Sequence, residues 1–218
     1  MARALVQPVT DCLDPEAEPD ELEPRFAAGR LSLDLALTVG ERWRRSFERL
    51  RTPSDLGRWL ELAGLVSPAP TVGPAELSAA RELREAIFGL ARRAMDGRPA
   101  MASDLAVVNE WASRPDLPPW LTGIGRTVHR PSPDAVPAAL ATIARDAVDL
   151  FGGPLAARVR ECAAPDCSGL FLDGSRAGAR RWCSMTACGN RAKVAAYRRR
   201  RAGAARHERN DRERVTTG

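Results

Sequence analysis

Residues 162–188 read CAAPDCSGLFLDGSRAGARRWCSMTAC and hold four of the five cysteines of the chain. These four are Cys162, Cys167, Cys183 and Cys188, spaced as C-x4-C, fifteen residues and C-x4-C. Each close pair can turn around half of a tetrahedral coordination sphere, and the loop between the pairs lets the two halves meet. The pattern therefore predicts one structural Zn²⁺ held by four thiolates.

A disulfide framework is the alternative interpretation of these cysteines. The amino-terminus shows no basic flank followed by an apolar run, and no stretch approaches the roughly 18 apolar residues of a membrane span. We therefore expect a cytoplasmic protein, and in a reducing cytoplasm clustered cysteines bind metal more often than they form disulfides. The fifth cysteine, Cys12, stands alone and is predicted to have no role.

Positive charge is concentrated towards the C-terminal end. Residues 161–218 carry 13 basic and 6 acidic side chains, a net of +7; since the whole chain is +5, residues 1–160 carry −2. A near-neutral body with a cationic end is typical of proteins that contact nucleic acid. Lys193 is the sole lysine, and this arginine bias, with abundant alanine, glycine and proline, indicates a GC-rich bacterial genome.

The apolar pattern predicts a mainly α-helical fold with small β elements. The stretch Thr52-Pro53-Ser54-Asp55 is typical of a helix start, and Gly64 of its end. Apolar residues that recur every three and four positions predict a longer helix from about Pro74. Two more helices are predicted, one capped by Ser103 and one from about Asp134 to Phe151.

Two short segments suggest strands. The leucines at 31, 33, 35 and 37 alternate with other residues, which favours a short strand, with the start of a buried helix as the alternative. Residues 121–130 are expected to form a short strand pair at most.

Four regions follow from these patterns. Seven acidic residues lie between Asp11 and Glu23, so residues 1–24 are predicted to form a flexible acidic arm. Residues 25–155 form the helical domain, and Gly153-Pro154 breaks the chain at its end. Residues 156–202 form the zinc finger, and residues 203–218 are expected to be a charged, disordered tail.

The finger is predicted to be treble-clef-like. A hairpin would pair residues 170–173 with residues 180–183, and Cys188 would lie in the first turn of a helix that begins near Gly189. Its candidate core is small: Phe171, Leu172, Trp182, Met185, Val194 and Tyr197. Structural zinc contributes on the order of 10–16 kcal/mol in finger peptides, so the metal is expected to be a condition of folding here.

Four thiolates on one Zn²⁺ leave a net charge of −2, which nearby arginines must offset. Arg176, Arg180, Arg181 and Arg191 are the candidates, with direct phosphate contact as the alternative role of each. Trp182, next to Cys183, is expected to cover the metal.

The finger resembles the CGNR zinc finger of bacterial regulators. The resemblance rests on the run Arg180-Arg181-Trp182-Cys183-Ser184-Met185 and on Cys188-Gly189-Asn190-Arg191 with Lys193. The hairpin residues Leu170-Phe171-Leu172-Asp173 and Ser175-Arg176 fit the same family.

The preceding domain resembles the ABATE domain of stress-induced bacterial transcription regulators. The stretches that carry this resemblance are Leu31-Ser32-Leu33-Asp34, Asp55-Leu56 with Trp59-Leu60, Gly64-Leu65, and Leu83-Arg84-Glu85-Ala86-Ile87. Relatives usually have an aromatic residue and an asparagine before the threonine, where this chain has Leu35 and Leu37 before Thr38. Any ligand contact that this asparagine makes in relatives is expected to be lost or altered here.

The helix behind Cys188 is the candidate nucleic-acid surface. Its basic residues could neutralise phosphates: Arg191, Lys193, Arg198, Arg199, Arg200 and Arg201. The four consecutive arginines point all around a helix axis, so the sequence defines no single basic face. A solvated, fraying terminal helix is the alternative.

An enzyme is not expected. A catalytic zinc keeps an open position and commonly has histidine or carboxylate ligands, whereas a site of four cysteines is closed. His129 and His207 are the only histidines, and no nucleophile elbow, P-loop or dinucleotide motif occurs.

The sequence thus predicts a DNA-binding transcription regulator. Its N-terminal domain would sense an unidentified small molecule or protein, and its finger would contact DNA. A zinc-stabilised module that binds a ligand or protein, without a nucleic-acid role, is the alternative.

Overall fold

The computed structural model describes residues 17–124, 126–129 and 132–201, and its architecture is mainly α with three small two-stranded sheets. The helices are α1 (Leu31–Ala36), α2 (Pro53–Leu62), α3 (Pro74–Met95), α4 (Ala102–Ala112), α5 (Ala135–Gly152) and α6 (residues 190–201). The strands are β1 (Val39–Gly40), β2 (Phe47–Glu48), β3 (Pro119–Gly123), β4 (Arg126–His129), β5 (Val159–Glu161) and β6 (Leu170–Leu172). A 3₁₀ helix spans Pro154–Arg158, and a π-helical turn, Met185–Gly189, leads into α6.

Local signals explain where the helices begin and end. The Thr52 hydroxyl accepts a hydrogen bond from the Asp55 amide at 3.3 Å, and the Asp55 carboxylate accepts one from the Thr52 amide at 2.7 Å. This capping box forms the helix start that the sequence predicts. Beyond α2, Gly64 has a φ of +73°, a conformation that glycine adopts without a Cβ clash. The predicted starts and ends of α2 and α5 and the predicted start of α3 are confirmed. The predicted cap of α4 is wrong, because Ser103 lies inside that helix and Met101 is its N-cap.

The main hydrophobic core lies among helices α2 to α5. Trp59, Leu83, Ile87, Leu140 and Ile143 have no exposed surface, and they are contributed by α2, α3 and α5. These residues recur at helical spacing, so each helix buries one stripe against the others.

The alternating leucines belong to a helix, so the strand prediction for this segment is wrong. Residues 32–36 are all buried in α1, which packs against α3, α5 and β6. A short helix that is buried on every side shows no polar face, and its spacing therefore carries no helical signal. The strand pair expected within residues 121–130 is confirmed as β3 and β4, which pair antiparallel.

The predicted hairpin of the finger is also wrong in its pairing. β6 pairs antiparallel with β5, in the register Val159↔Leu172 and Glu161↔Leu170, and residues 180–183 form no strand. The loop of residues 174–179 is instead closed by Asp173, whose carboxylate accepts hydrogen bonds from the amides of Ser175 at 2.9 Å and Arg180 at 3.1 Å.

A second hydrophobic cluster joins the helical domain to the finger. We call it the junction cluster, and its buried members are Ala28, Leu33, Leu37, Phe88, Ala91, Leu150, Val159, Cys162, Ala164, Leu170, Phe171, Cys183 and Cys188. The ion pair between Arg92 in α3 and Glu161 in β5, at 2.8 Å, spans the same contact. The finger therefore shares its core with the helices that precede it.

Part of the predicted acidic arm lies within the described residues. Glu23 pairs with Arg58 at 2.7 Å, and Glu21 pairs with Arg45. Residues 1–16, with Cys12, and residues 202–218, with His207, lie outside the described residues. Among the described helices, none is both long and apolar enough to cross a membrane.

Candidate metal centre and the helix behind it

Four sulfur atoms meet at one point of the finger. The Sγ atoms of Cys162, Cys167, Cys183 and Cys188 all lie within 4.8 Å of one another. Two of the separations, Cys167–Cys183 and Cys183–Cys188, are 3.7 Å. A tetrahedron with Zn–S bonds of about 2.3 Å has edges of about 3.8 Å, so the donor set fits Zn²⁺.

The same distances exclude disulfides among these four residues. A disulfide requires sulfurs about 2.05 Å apart, and all four cysteines are free. The four cysteines therefore form the site of one structural zinc ion, whose double positive charge would keep all four sulfurs as thiolates.

Two tight turns place the first pair of ligands. The Cys162 amide donates to the Gly169 carbonyl at 2.9 Å, directly after β5, and the Cys167 amide donates to the Ala164 carbonyl at 3.1 Å. The Gly169 amide then donates to the Cys167 sulfur at 3.3 Å. A Cβ at Gly169 would lie 3.1 Å from Leu37 Cδ2, 3.2 Å from the Cys167 sulfur and 3.3 Å from the Cys183 sulfur, so a larger residue there would crowd the two ligands.

The start of the last helix places the second pair. Ser184 follows Cys183 as the N-cap, and its hydroxyl accepts a hydrogen bond from the Ala187 amide at 3.2 Å. Cys188 lies in the π-helical turn with no exposed surface, near the positive end of the helix, as the sequence predicts. Sequence reasoning missed Ser184 as a cap, although a serine just before a helical segment is a recognisable signal.

Two of the four predicted neutralising arginines lie against the site. The Arg191 guanidinium lies 3.4 Å from the Cys188 sulfur and 3.4 Å from the Asp166 carboxylate. Burial lowers the pKa of Arg191, but the Cys188 and Asp166 charges outweigh it and the net shift is upward. Arg180 donates to the carbonyls of Cys183 and of Trp182, the latter at 2.9 Å.

Arg180 also ties the finger to the N-terminal segment. It donates to the Ala27 carbonyl at 3.0 Å, and its guanidinium lies 4.5 Å from the centroid of the buried Phe171 ring. No sequence signal indicates these long-range contacts. Arg176 and Arg181 are exposed, although the Arg181 guanidinium lies 5.0 Å from the Trp182 ring. Trp182 is half-buried and packs against the junction cluster, so its predicted role as a cover for the metal stays a prediction.

The candidate phosphate-binding residues lie on α6. Lys193, Arg198, Arg199, Arg200 and Arg201 are exposed, and within the described residues no carboxylate pairs with any of them. Arg191, by contrast, is held at the metal centre. The predicted core assignment of Met185, Val194 and Tyr197 is wrong, because these side chains are 48%, 48% and 53% exposed. The finger needs no core of its own at these positions because the junction cluster supplies one.

Comparison with known families agrees with this architecture. A family model named ABATE, "Putative stress-induced transcription regulator", matches residues 29–154, which is more than half of the chain. The chain belongs to the ABATE family. A CGNR zinc finger model matches residues 158–201, which include all four ligands. No curated protein matches the chain.

Proposed function

We propose that this ABATE-family chain is a bacterial, cytoplasmic transcription regulator. Its zinc finger holds α6 for contact with DNA phosphates, and its helical domain senses a small molecule or a protein. The observation that carries the proposal is the group of exposed basic side chains on α6, next to the zinc site, which have no carboxylate partner among residues 17–201 as far as these are described.

The metal centre supports this role by fixing the start of α6. Cys188 ties the first turn of the helix to the zinc, and the Ser184 cap satisfies an amide that the helix leaves free. A cationic helix with a fixed start can present its charges in one orientation, which lowers the entropy lost when phosphates bind.

The donor set favours a structural rather than a catalytic zinc. Four cysteines fill a tetrahedral coordination sphere and leave no position for water or substrate. We therefore propose a regulator that is not an enzyme.

A protein-binding adaptor is the second candidate, because α6 also exposes apolar side chains. Val194 and Tyr197 lie three residues apart on this helix, and the exposed Met185 lies in the turn that precedes it. Such side chains suit a protein contact as well as a nucleic-acid contact.

A salt titration separates the two candidates. We expect the zinc-loaded chain to bind random duplex DNA at low salt, with a slope of log affinity against log salt of about −0.9 per phosphate contacted. The double variant Arg198→Ala, Arg200→Ala should make that slope shallower by about 2. Arg51→Ala with Arg98→Ala removes two exposed arginines of the helical domain and should leave the slope unchanged.

Fluorescence anisotropy of labelled DNA measures both slopes. If the chain does not bind at low salt, or if the control variant lowers the slope as much as the α6 variant, DNA contact by α6 is refuted and the adaptor is favoured.

A further inference from the structure

A cavity lies between the helical domain and the zinc finger. Its volume is about 350 Å³. Leu37, Val39 and Phe47 line it from the helical domain, and Ser168, Ser184 and Ala187 line it from the finger. The cavity therefore adjoins the turn from which α6 starts.

Arg49 is a buried cation in the wall of this cavity. Arg49 is only 5% exposed. Its Nη1 donates to the Leu37 carbonyl at 2.6 Å and its Nε to the Glu23 carbonyl at 3.2 Å, and its guanidinium lies 4.8 Å from the Phe47 ring centroid. Within the described residues no carboxylate forms an ion pair with Arg49, whose hydrogen bonds are donated by Nη1 and Nε, although Glu48 and Glu21 attract it without contact. A cation buried in this way is costly unless an anion offsets it.

A second guanidinium lines the same cavity. Arg25 is half-buried, and among the described side chains it has neither an ion pair nor a hydrogen bond. Burial and then the charge of Arg25 lower the pKa of Arg49 to about 10. Arg49 is therefore still charged at neutral pH, and Arg25 lies close enough to repel it.

The acidic residues of the wall do not offset these two cations by contact, because each has another arginine partner. The pairs are Glu21 with Arg45, Glu41 with Arg44 at 2.9 Å and with Arg45 at 3.1 Å, and Asp166 with Arg191 at 3.4 Å. The Cys167 sulfur attracts Arg49 from the metal centre, but no hydrogen bond joins them.

We propose that this cavity binds a small organic acid with one carboxylate and an apolar body. The carboxylate lies between Arg25 and Arg49, since a guanidinium matches the two oxygens of a carboxylate. The body lies against Leu37, Val39 and Phe47. A dianion such as a phosphate is disfavoured, because the zinc thiolates and the carboxylates of Glu21 and Glu41 lie around the same cavity.

The regulatory part of this inference rests on the proposed function. An acid in the cavity touches the helical domain and the turn around Ser184 and Ala187 at once, so it fixes the direction of α6 relative to the helical domain. We expect it to tighten DNA binding by roughly fivefold or more, the usual lower limit for coupled sites.

Isothermal titration calorimetry of the zinc-loaded full chain tests the site without DNA. The probes are benzoate, phenylacetate and octanoate, each compared with its uncharged amide. At least one acid should bind with one equivalent per chain, and its amide should bind about tenfold more weakly or worse. Arg25→Gln should weaken binding of the acid by roughly ten- to a hundredfold. Arg51→Gln, which removes an exposed arginine outside the cavity, should leave it unchanged.

Three results would overturn the site. The acids and their amides could bind equally well, or no acid could bind with a dissociation constant below about 10 mM. The third is that Arg25→Gln and Arg51→Gln reduce the affinity for the acid equally. Repeating the DNA titration in the presence of the acid tests whether acid binding and DNA binding are coupled. An unchanged DNA affinity would refute the coupling. A chain that binds the acid but never binds DNA would refute the proposed function and leave the acid site intact.

Discussion

Replacing Cys188 with serine should destabilise the helical domain as well as the finger. The substitution removes one of four sulfurs from a fully buried position, so the zinc site loses a ligand that water cannot readily replace. Zinc content should fall from one ion per chain to near zero. The finger should then separate from the helical domain along the junction cluster.

The magnitude follows from the side chains that the helical domain contributes to this cluster, which are Leu33, Leu37, Phe88 and Leu150. Full burial of one such side chain is worth about 1.5–3 kcal/mol, so exposing half of each costs about 3–6 kcal/mol in total. For a chain of this length, each kcal/mol of lost stability lowers the thermal unfolding midpoint by about 2–4 °C. The midpoint of the helical signal should therefore fall by on the order of 10 °C.

Circular dichroism melts and elemental analysis of the same samples measure both effects. Cys12→Ser is the matched control, because it removes the one cysteine that is not among the four ligands. A variant that loses its zinc but melts within about 2 °C of wild type would show that the junction cluster does not couple the two regions. A variant that keeps its zinc would show that Cys188 is not a ligand.

Two further predictions concern packing at the metal and a buried carboxylate. Gly169→Ala should weaken zinc binding in a competition titration with a chelator, because the new Cβ crowds two ligand sulfurs. Gly174→Ala is the control, since its Cβ would meet no atom within 4 Å, and it should not weaken zinc binding. Equal zinc affinities of the two variants would contradict the packing argument. Burial raises the pKa of Asp34 from 3.8 to about 6, so the unfolded chain loses this proton first and stability falls as pH rises from about 4 to 6. Asp34→Asn keeps an oxygen acceptor for the Ala28 amide. Between pH 4 and 7 its free energy of unfolding, measured with urea, should rise by at most about 3 kcal/mol relative to that of the wild type. If the substitution left the pH dependence of stability unchanged, this prediction would be contradicted.

The helices that sequence predicts well are those with one buried face and a chemical start signal. The capping box of Thr52 and Asp55 and the buried stripe of α3 are local features, so they survive any tertiary arrangement. In α1 all of residues 32–36 are buried, which removes the contrast between polar and apolar faces on which periodicity depends.

The metal site likewise combines features that the local sequence predicts with features that depend on the tertiary structure. The spacing of the cysteines is sufficient to predict four zinc ligands, because chelation by close pairs is a local property. The partner of β6 depends on which backbone amides remain free once the ligands meet, and this depends on the fold around them. The same holds for Arg180, whose contact with Ala27 joins positions 153 residues apart.

The sequence by itself determined the zinc ligands, the helical class and the basic terminal helix, since spacing, caps and charge act over a few residues. Only the tertiary structure decided that the finger and the helices share one core, and that Arg25 and Arg49 line a cavity without carboxylate partners in the described part of the chain. The physical reason is that burial and ion pairing are set by contacts between distant residues, and a one-dimensional pattern does not specify which distant residues meet.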